Sequence, residues 1–299
     1  MAFLLTEGSS AIQTTVPAPA VPPKGGGGTV GPVETLEFER RGRVGWLRLN
    51  RPDKLNAMNG QLWAELAELG PQLRDDPELR AVVVIGNGRA FSTGIDLSSF
   101  ANAGGSPPVL GRRTAAEREQ AIAAVQEGYL WLQEAWFPTI AAVRGYALGA
   151  GMQLAMACDL RVTARGTRFG MLEATYGLMP DLTGTQLLPR LVGVSKAKEL
   201  LFTAAQVDAE EALRIGLVNQ VVSDDTLEDV VGALADALAA QPPIAIRWTK
   251  QAVDAAGRLP LREGLRFEQR GQAQCVASND FGEAIAAFQE GRRPRYTGT

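Results

Sequence analysis

The stretch "RGYALGAGMQLAMACDL", residues 144–160, decides the fold. The strand-like run "PTIAAVRGYA", from Pro138, leads into the tiny residues Gly149, Ala150 and Gly151, and "MQLAMACD" then reads as a helix. The first N–H groups of a helix have no partner inside it, and the macrodipole leaves that end partly positive. A turn stripped of side chains at that point exposes a binding place for an oxygen with developing negative charge. Gln153, a neutral amide, stands in the helix's first turn, where proton chemistry calls for an acid.

Outward from this stretch, strands and helices alternate. "VGWLRLN" (44–50) and "AVVVIGN" (81–87) read as strands, with the amphipathic helix "MNGQLWAELAELGPQLRDD" (58–76) between them. "PTIAAVRGY" (138–146), "LRVTA" (160–164) and "LVNQVV" (217–222) continue the pattern, which predicts a parallel-rich α/β core. The polar, Gly/Pro-rich segment 98–119 reads as a long mobile flap. Residues 1–32 read as a flexible Pro/Ala/Gly-rich tail without the basic region of a secretory signal, residues 33–245 as the core, and 246–299 as a helical region packing on a neighbouring subunit or on its own core.

Composition narrows the chemistry. The 299 residues carry 45% apolar content, 21% charged residues and a formal net charge of -3, with no Lys/Arg block, so neither nucleic acid nor an anionic membrane is the expected partner. No apolar run approaches the roughly 18 residues of a membrane span. Histidine is absent, which removes Ser-His-Asp and Cys-His machinery and leaves carboxylates, Tyr, Lys and backbone donors. The two cysteines, Cys158 and Cys275, suggest neither a disulfide framework nor a zinc cluster, and a reducing, cytoplasmic setting is expected.

A second glycine turn, "GRAFSTGIDLSSF" (88–100), follows the buried run "AVVVIG", with Asp96 placed as a helix cap. If the amides of Ile95 and Ala150 face one spot, they form a two-donor oxyanion hole. "NRPDKLNAMN" (50–59), "FSTGIDL" (91–97), "VRGYALGAGMQLAMACDLRV" (143–162), "FGMLEATYGLMPDLTGTQLLPRLVG" (169–193) and "EEALRIGLVNQVV" (210–222), closing with "DFGEAIAAFQEGRRP" (280–294), resemble the enoyl-CoA hydratase/isomerase, or crotonase, family from about residue 34 to 296.

The resemblance implies a crotonase-type spiral of ββα repeats with a C-terminal helical trimerisation region, a homotrimer or hexamer, and a coenzyme A thioester held by the Ile95 and Ala150 amides. No metal or redox cofactor is implied, coenzyme A entering only as part of the substrate. Lys54, Leu55, Ala57, Asp96 and Leu97 match the segments that border coenzyme A. The family's two hydratase glutamates fall on Gln153 and Glu173, so the first is an amide that positions substrate or water but exchanges no proton. Asp181, eight residues after Glu173, resembles the second acid of the dienoyl-CoA isomerase branch, although it also suits an N-cap. The expected activity is therefore double-bond isomerisation of an enoyl- or dienoyl-CoA by Glu173 and Asp181. The alternatives are a hydratase with an atypical Gln153 and a hydrolase using Asp181 as nucleophile. Trp131 and Trp136 are candidates to wall the acyl pocket, with ordinary core positions the other reading. A dinucleotide fingerprint fails because Leu154 stands where its third glycine belongs. A non-catalytic scaffold is disfavoured by the retained Glu173 and Asp181.

Overall fold

The computed structural model describes residues 34–98 and 114–299; the predicted tail and residues 99–113 of the predicted flap lie outside the described residues. The main sheet contains β1 (Leu36–Arg41), β2 (Val44–Leu49), β3 (Ala81–Gly86), β4 (Thr139–Val143), β6 (Leu160–Ala164) and β9 (Gln220–Val222), in the order β1-β2-β3-β4-β6-β9. Only the β1–β2 hairpin is antiparallel. All six residues of β3 are buried, because a parallel strand covered on both faces needs a continuous apolar run. Alternation sorts the side chains. Leu47, Leu49, Val82, Val84, Ala141 and Val143 enter one core, while Trp46, Val83, Ile85, Ile140 and Ala142 enter a second beneath α7 (Leu227–Ala239).

The run predicted as one strand over 138–146 is two. Gly145 takes φ +63, a Cβ there would lie 2.0 Å from the Arg89 carbonyl oxygen, and the chain leaves the main sheet to become β5 (Tyr146–Leu148). β5 pairs parallel with β7 (Arg168–Gly170), which pairs antiparallel with β8 (Gln206–Asp208). Strand, second-sheet strand and helix recur as β4–β5–α3 (Ala150–Ala157) and as β6–β7 followed by α4 (Gly184–Val192), the ββα repeat that the family resemblance implies.

Helix α1 (Gly60–Arg74) packs on α2 (Ala115–Glu134), which the flap reading missed. Its start is locally encoded, since Thr114 and Glu117 form a reciprocal capping box. Trp131 lies against Gly70, where a Cβ would stand 2.1 Å from the indole. This side chain is therefore core between two helices rather than a wall of the acyl pocket. Trp136 packs edge-on against Phe137 at 5.3 Å and shares a small cleft with Arg80, Pro138 and Ile246 rather than with the glycine bends.

Helices α5 (Val194–Thr203) and α6 (Ala209–Arg214) complete the core, followed by α8 (Pro243–Ala256), α9 (Leu261–Ala277) and α10 (Asn279–Glu290). Helix α8 runs through the boundary predicted at 245/246. Its Lys250 ammonium donates to the Leu132 and Phe137 carbonyls and pairs with Asp159 at 2.8 Å, tying this helix to its own core. Trp248 of α8 stacks edge-on with Phe267 of α9 at 5.0 Å. Among the described residues, no single helix is long and apolar enough to cross a membrane.

Candidate active site

The two small-residue bends lie side by side. After β3 the chain runs along β5, with Ser92 N donating to Tyr146 O at 2.9 Å and Leu148 N to Ser92 O at 3.0 Å. Ser92 Oγ donates to Asn56 O and accepts from Gly94 N. Gly94 adopts φ +87, and a Cβ on it would stand 2.7 Å from Leu148 O and 3.5 Å from Ala150 N, so no larger residue lets the bends approach this closely. Ile95 is bridged to Met58, but the ladder uses Gly94 O and Asp96 N and leaves its amide out. Ala150 opens α3, ahead of the first intrahelical bond from Gln153 N to Gly149 O. Neither amide, Ile95 or Ala150, has a hydrogen-bond partner among the described residues.

Glu173 opens a single 3-10 turn, Glu173–Tyr176, after β7. Its carboxyl sits at the junction of the bends: a Cβ on Gly149 would lie 3.4 Å from Glu173 Oε1 and 4.0 Å from the Gly94 Cα. Burial first, and then the charge of Asp181, push its pKa above the ordinary carboxylate value, against the downward pull of its own backbone N–H and of Gln153. Oε2 is buried without a hydrogen-bond partner among the described residues. Asp181 is half-buried, and burial raises its pKa too. It does not cap α4; Thr183 holds the N-cap position, and the Asp181 carbonyl instead accepts from Gln126 Nε2 at 2.6 Å.

Gln153 meets protein groups at three of its four hydrogen-bonding positions. Its Nε2 donates to Glu173 Oε1 at 2.8 Å, while its Oε1 accepts from Leu182 N at 2.8 Å and Gly184 N at 2.9 Å. Its contacts are thus with the two acid-bearing segments. The expected substrate-positioning role is one step removed from what these bonds describe.

Lys54, Leu55, Ala57, Asp96 and Leu97 line one ribbon beside the first bend. Leu55 O accepts from Thr93 N at 3.2 Å, Ala57 is buried, and Lys54 and Leu97 are exposed. Asp96 accepts from Ser98 N at 3.1 Å, as a cap would, and pairs with Arg51 at 2.9 Å. Its carboxylate is therefore occupied, and its backbone N–H donates to Met58 O at 2.9 Å. Sequence reasoning missed the residues that hold this ribbon. Asn56, fully buried with φ +53, donates to Asn87 O and Ala90 O and accepts from Arg51 N. The tolerance of Asn for left-handed backbone was the available signal in "KLNAMN". Tyr129 was missed as well; its buried hydroxyl lies 3.3 Å from Ala150 O and 3.1 Å from Met58 Sδ, and burial raises its pKa.

A ββα α/β fold that sets two unpartnered backbone amides beside one buried carboxyl, Glu173, with the charge of the half-buried Asp181 reaching it, defines a class of protein suited to acid/base work at one polarised oxygen. The particular family follows from comparison: residues 39–299 match the family model for enoyl-CoA hydratase/isomerase, and the chain belongs to that family of enzymes, the crotonases. The short-chain-enoyl-CoA hydratase of Clostridium acetobutylicum is 35% identical over 261 residues, covering 86% of this chain and 95% of the relative. Among solved structures, the enoyl-CoA hydratase of Bacillus anthracis superposes with a TM-score of 0.81 at 31% identity, covering 89% of this chain and 100% of that one. A candidate enoyl-CoA hydratase from Thermobifida fusca YX, solved with acetoacetyl-CoA, gives 0.76 at 43% identity over 81% and 95% of the two chains.

Proposed function

We propose that the protein is a double-bond isomerase acting on an enoyl- or dienoyl-CoA thioester, without a metal or redox cofactor. The thioester carbonyl oxygen rests on the Ile95 and Ala150 amides, which stabilise the enolate; a donor of this kind is worth about 10²–10³ in rate. Glu173 removes a proton from the carbon next to the carbonyl, the electron pair spreads into the conjugated system, and Asp181 returns a proton at its far end. The two carboxyls exchange protonation states and solvent resets them. Burial supports both parts, since it raises both pKa values, so that Asp181 holds its proton to higher pH than a free carboxyl and Glu173 is a stronger base once ionised.

The observation that carries this reading is the neutral Gln153, bonded to Glu173 and to two backbone amides where a two-glutamate hydratase needs an acid. The hydratase names of the relatives favour a second reading, slow hydration with the remaining Gln153 N–H on a water. The third uses Asp181 as a nucleophile. Incubation in deuterated water with 3-enoyl, 3,5-dienoyl and 2-enoyl thioesters separates them. Bond migration with deuterium uptake is the expected result; a 3-hydroxyacyl product would replace it with hydration, and released coenzyme A with hydrolysis. Assembly as a homotrimer or hexamer belongs to the same proposal, supported by large apolar side chains left exposed on α9 and α10, among them Leu261, Phe281 and Phe288.

A further inference from the structure

We propose that Gln153 is a positioning residue that fixes which oxygen of Glu173 carries the mobile proton. This rests on the reading of Glu173 as the proton-transfer group, and its geometry is independent of where the substrate's double bond goes.

The orientation of the Gln153 amide is set by chemistry. Its oxygen faces two backbone N–H donors, Leu182 at 2.8 Å and Gly184 at 2.9 Å. A reversed amide would aim its NH₂ at those two N–H donors and lose both backbone bonds, whatever the state of the carboxyl. Nε2 therefore always presents a hydrogen to Glu173 Oε1, 2.8 Å away, and Oε1 must accept. A proton on the carboxyl then sits on Oε2, the oxygen with no partner among the described residues. The other titratable groups whose charges reach Glu173 are Asp181, which makes no hydrogen bond to it, and Tyr129, which burial keeps neutral.

The same amide oxygen holds the turn that carries Asp181. Between its two donors lies Thr183, a β-branched residue at φ +84, where such residues are strained. A Cβ on Gly184 would stand 2.8 Å from Gln153 Oε1, so the contact needs glycine there. One side chain thus aligns Glu173 through its donor and the Asp181 turn through its acceptor. A glutamate at this position keeps the acceptor and loses the donor; it would have to share a proton with Glu173, spreading that proton over several oxygens.

The test uses the full chain without substrate. Infrared difference spectra between the protein and its Glu173→Gln variant follow the Glu173 carboxyl through a pH titration, in wild type and in Gln153→Glu and Gln153→Met backgrounds. In both backgrounds the protonated-to-ionised ratio of Glu173 at a fixed pH is expected to rise at least ten-fold, because the donor that favours the charged form is gone. Thermal stability is expected to fall mainly in Gln153→Met, which also leaves Leu182 and Gly184 unpaired. If Glu173 titrates in Gln153→Glu as in wild type, the proposal is overturned, whatever the stability. If the titration moves while no substrate isomerises, the positioning role stands and the isomerase reading alone falls.

Discussion

In the proposed reaction Glu173 is the residue on which the chemistry turns, and its environment makes quantitative demands. Replacing it by Gln keeps the shape and removes the proton carrier. Turnover should drop by about 10²–10⁴-fold with KM for the thioester nearly unchanged, and steady-state kinetics will show unchanged turnover if Glu173 has no part in the reaction. The same substitution has a stability signature. A carboxyl whose folded pKa is raised contributes stability that is present below its unfolded value and is lost as pH rises through the folded one. Glu173→Gln should therefore unfold at a higher temperature than wild type at pH 8, with the advantage vanishing below about pH 4.5, in calorimetry across that range. Asp181 gives the complementary test. Its negative charge raises the Glu173 pKa, so Asp181→Asn lowers it, and the acid limb of solvent-deuterium exchange should move to lower pH.

At the scale of elements, the site depends on two bends touching, and Gly94 is where they touch. A methyl group at Gly94, 2.7 Å from Leu148 O, must push the first bend off β5 and separate the Ile95 and Ala150 amides. Gly94→Ala should lower turnover by about 10²–10³-fold, the value of one displaced donor; equal activity would disconnect the bends from catalysis. Lys250 makes the opposite prediction. Its side chain, only 7% exposed, joins α8 to the end of α2 and to Asp159, so Lys250→Met takes the cation from a carboxylate that is itself 22% exposed and keeps, among the described residues, only its hydrogen bonds from Thr139. The cost should be about 2–4 kcal/mol in denaturant unfolding, toward the low side for breaking a buried pair, while the chemistry measured on folded protein stays intact.

The whole molecule is a ββα spiral whose C-terminal helices α9 and α10 keep large apolar side chains in water, Phe288 at 86% exposure. Light scattering is expected to give three or six times the chain mass, and a monomer at micromolar concentration would remove the oligomer from the proposal. Much of this architecture was legible in the chain. Continuous apolar runs marked the parallel strands, and the glycine bends marked the ends of β3 and β5. The order of five motifs marked the family, and the resemblance singled out Glu173 and Asp181 among the chain's acids. What escaped had physical causes. Helix α2 begins inside a polar, Gly/Pro-rich segment whose composition hides the Thr114/Glu117 capping box. The break at Gly145 lies inside an unbroken apolar pattern, so periodicity could not divide β4 from β5. Trp131 reads equally well as pocket wall or core until Gly70 is seen against it.

The sequence by itself determined the parallel strands of the core, the two small-residue bends and the exclusion of histidine chemistry, because periodicity, glycine placement and residue type are local properties. Only the tertiary structure decided that the bends meet and that Glu173 lies at their junction. It also decided that Gln153 bonds to both acid-bearing segments rather than facing outward. Those facts depend on distances between residues twenty to eighty positions apart, which packing sets and no local pattern records.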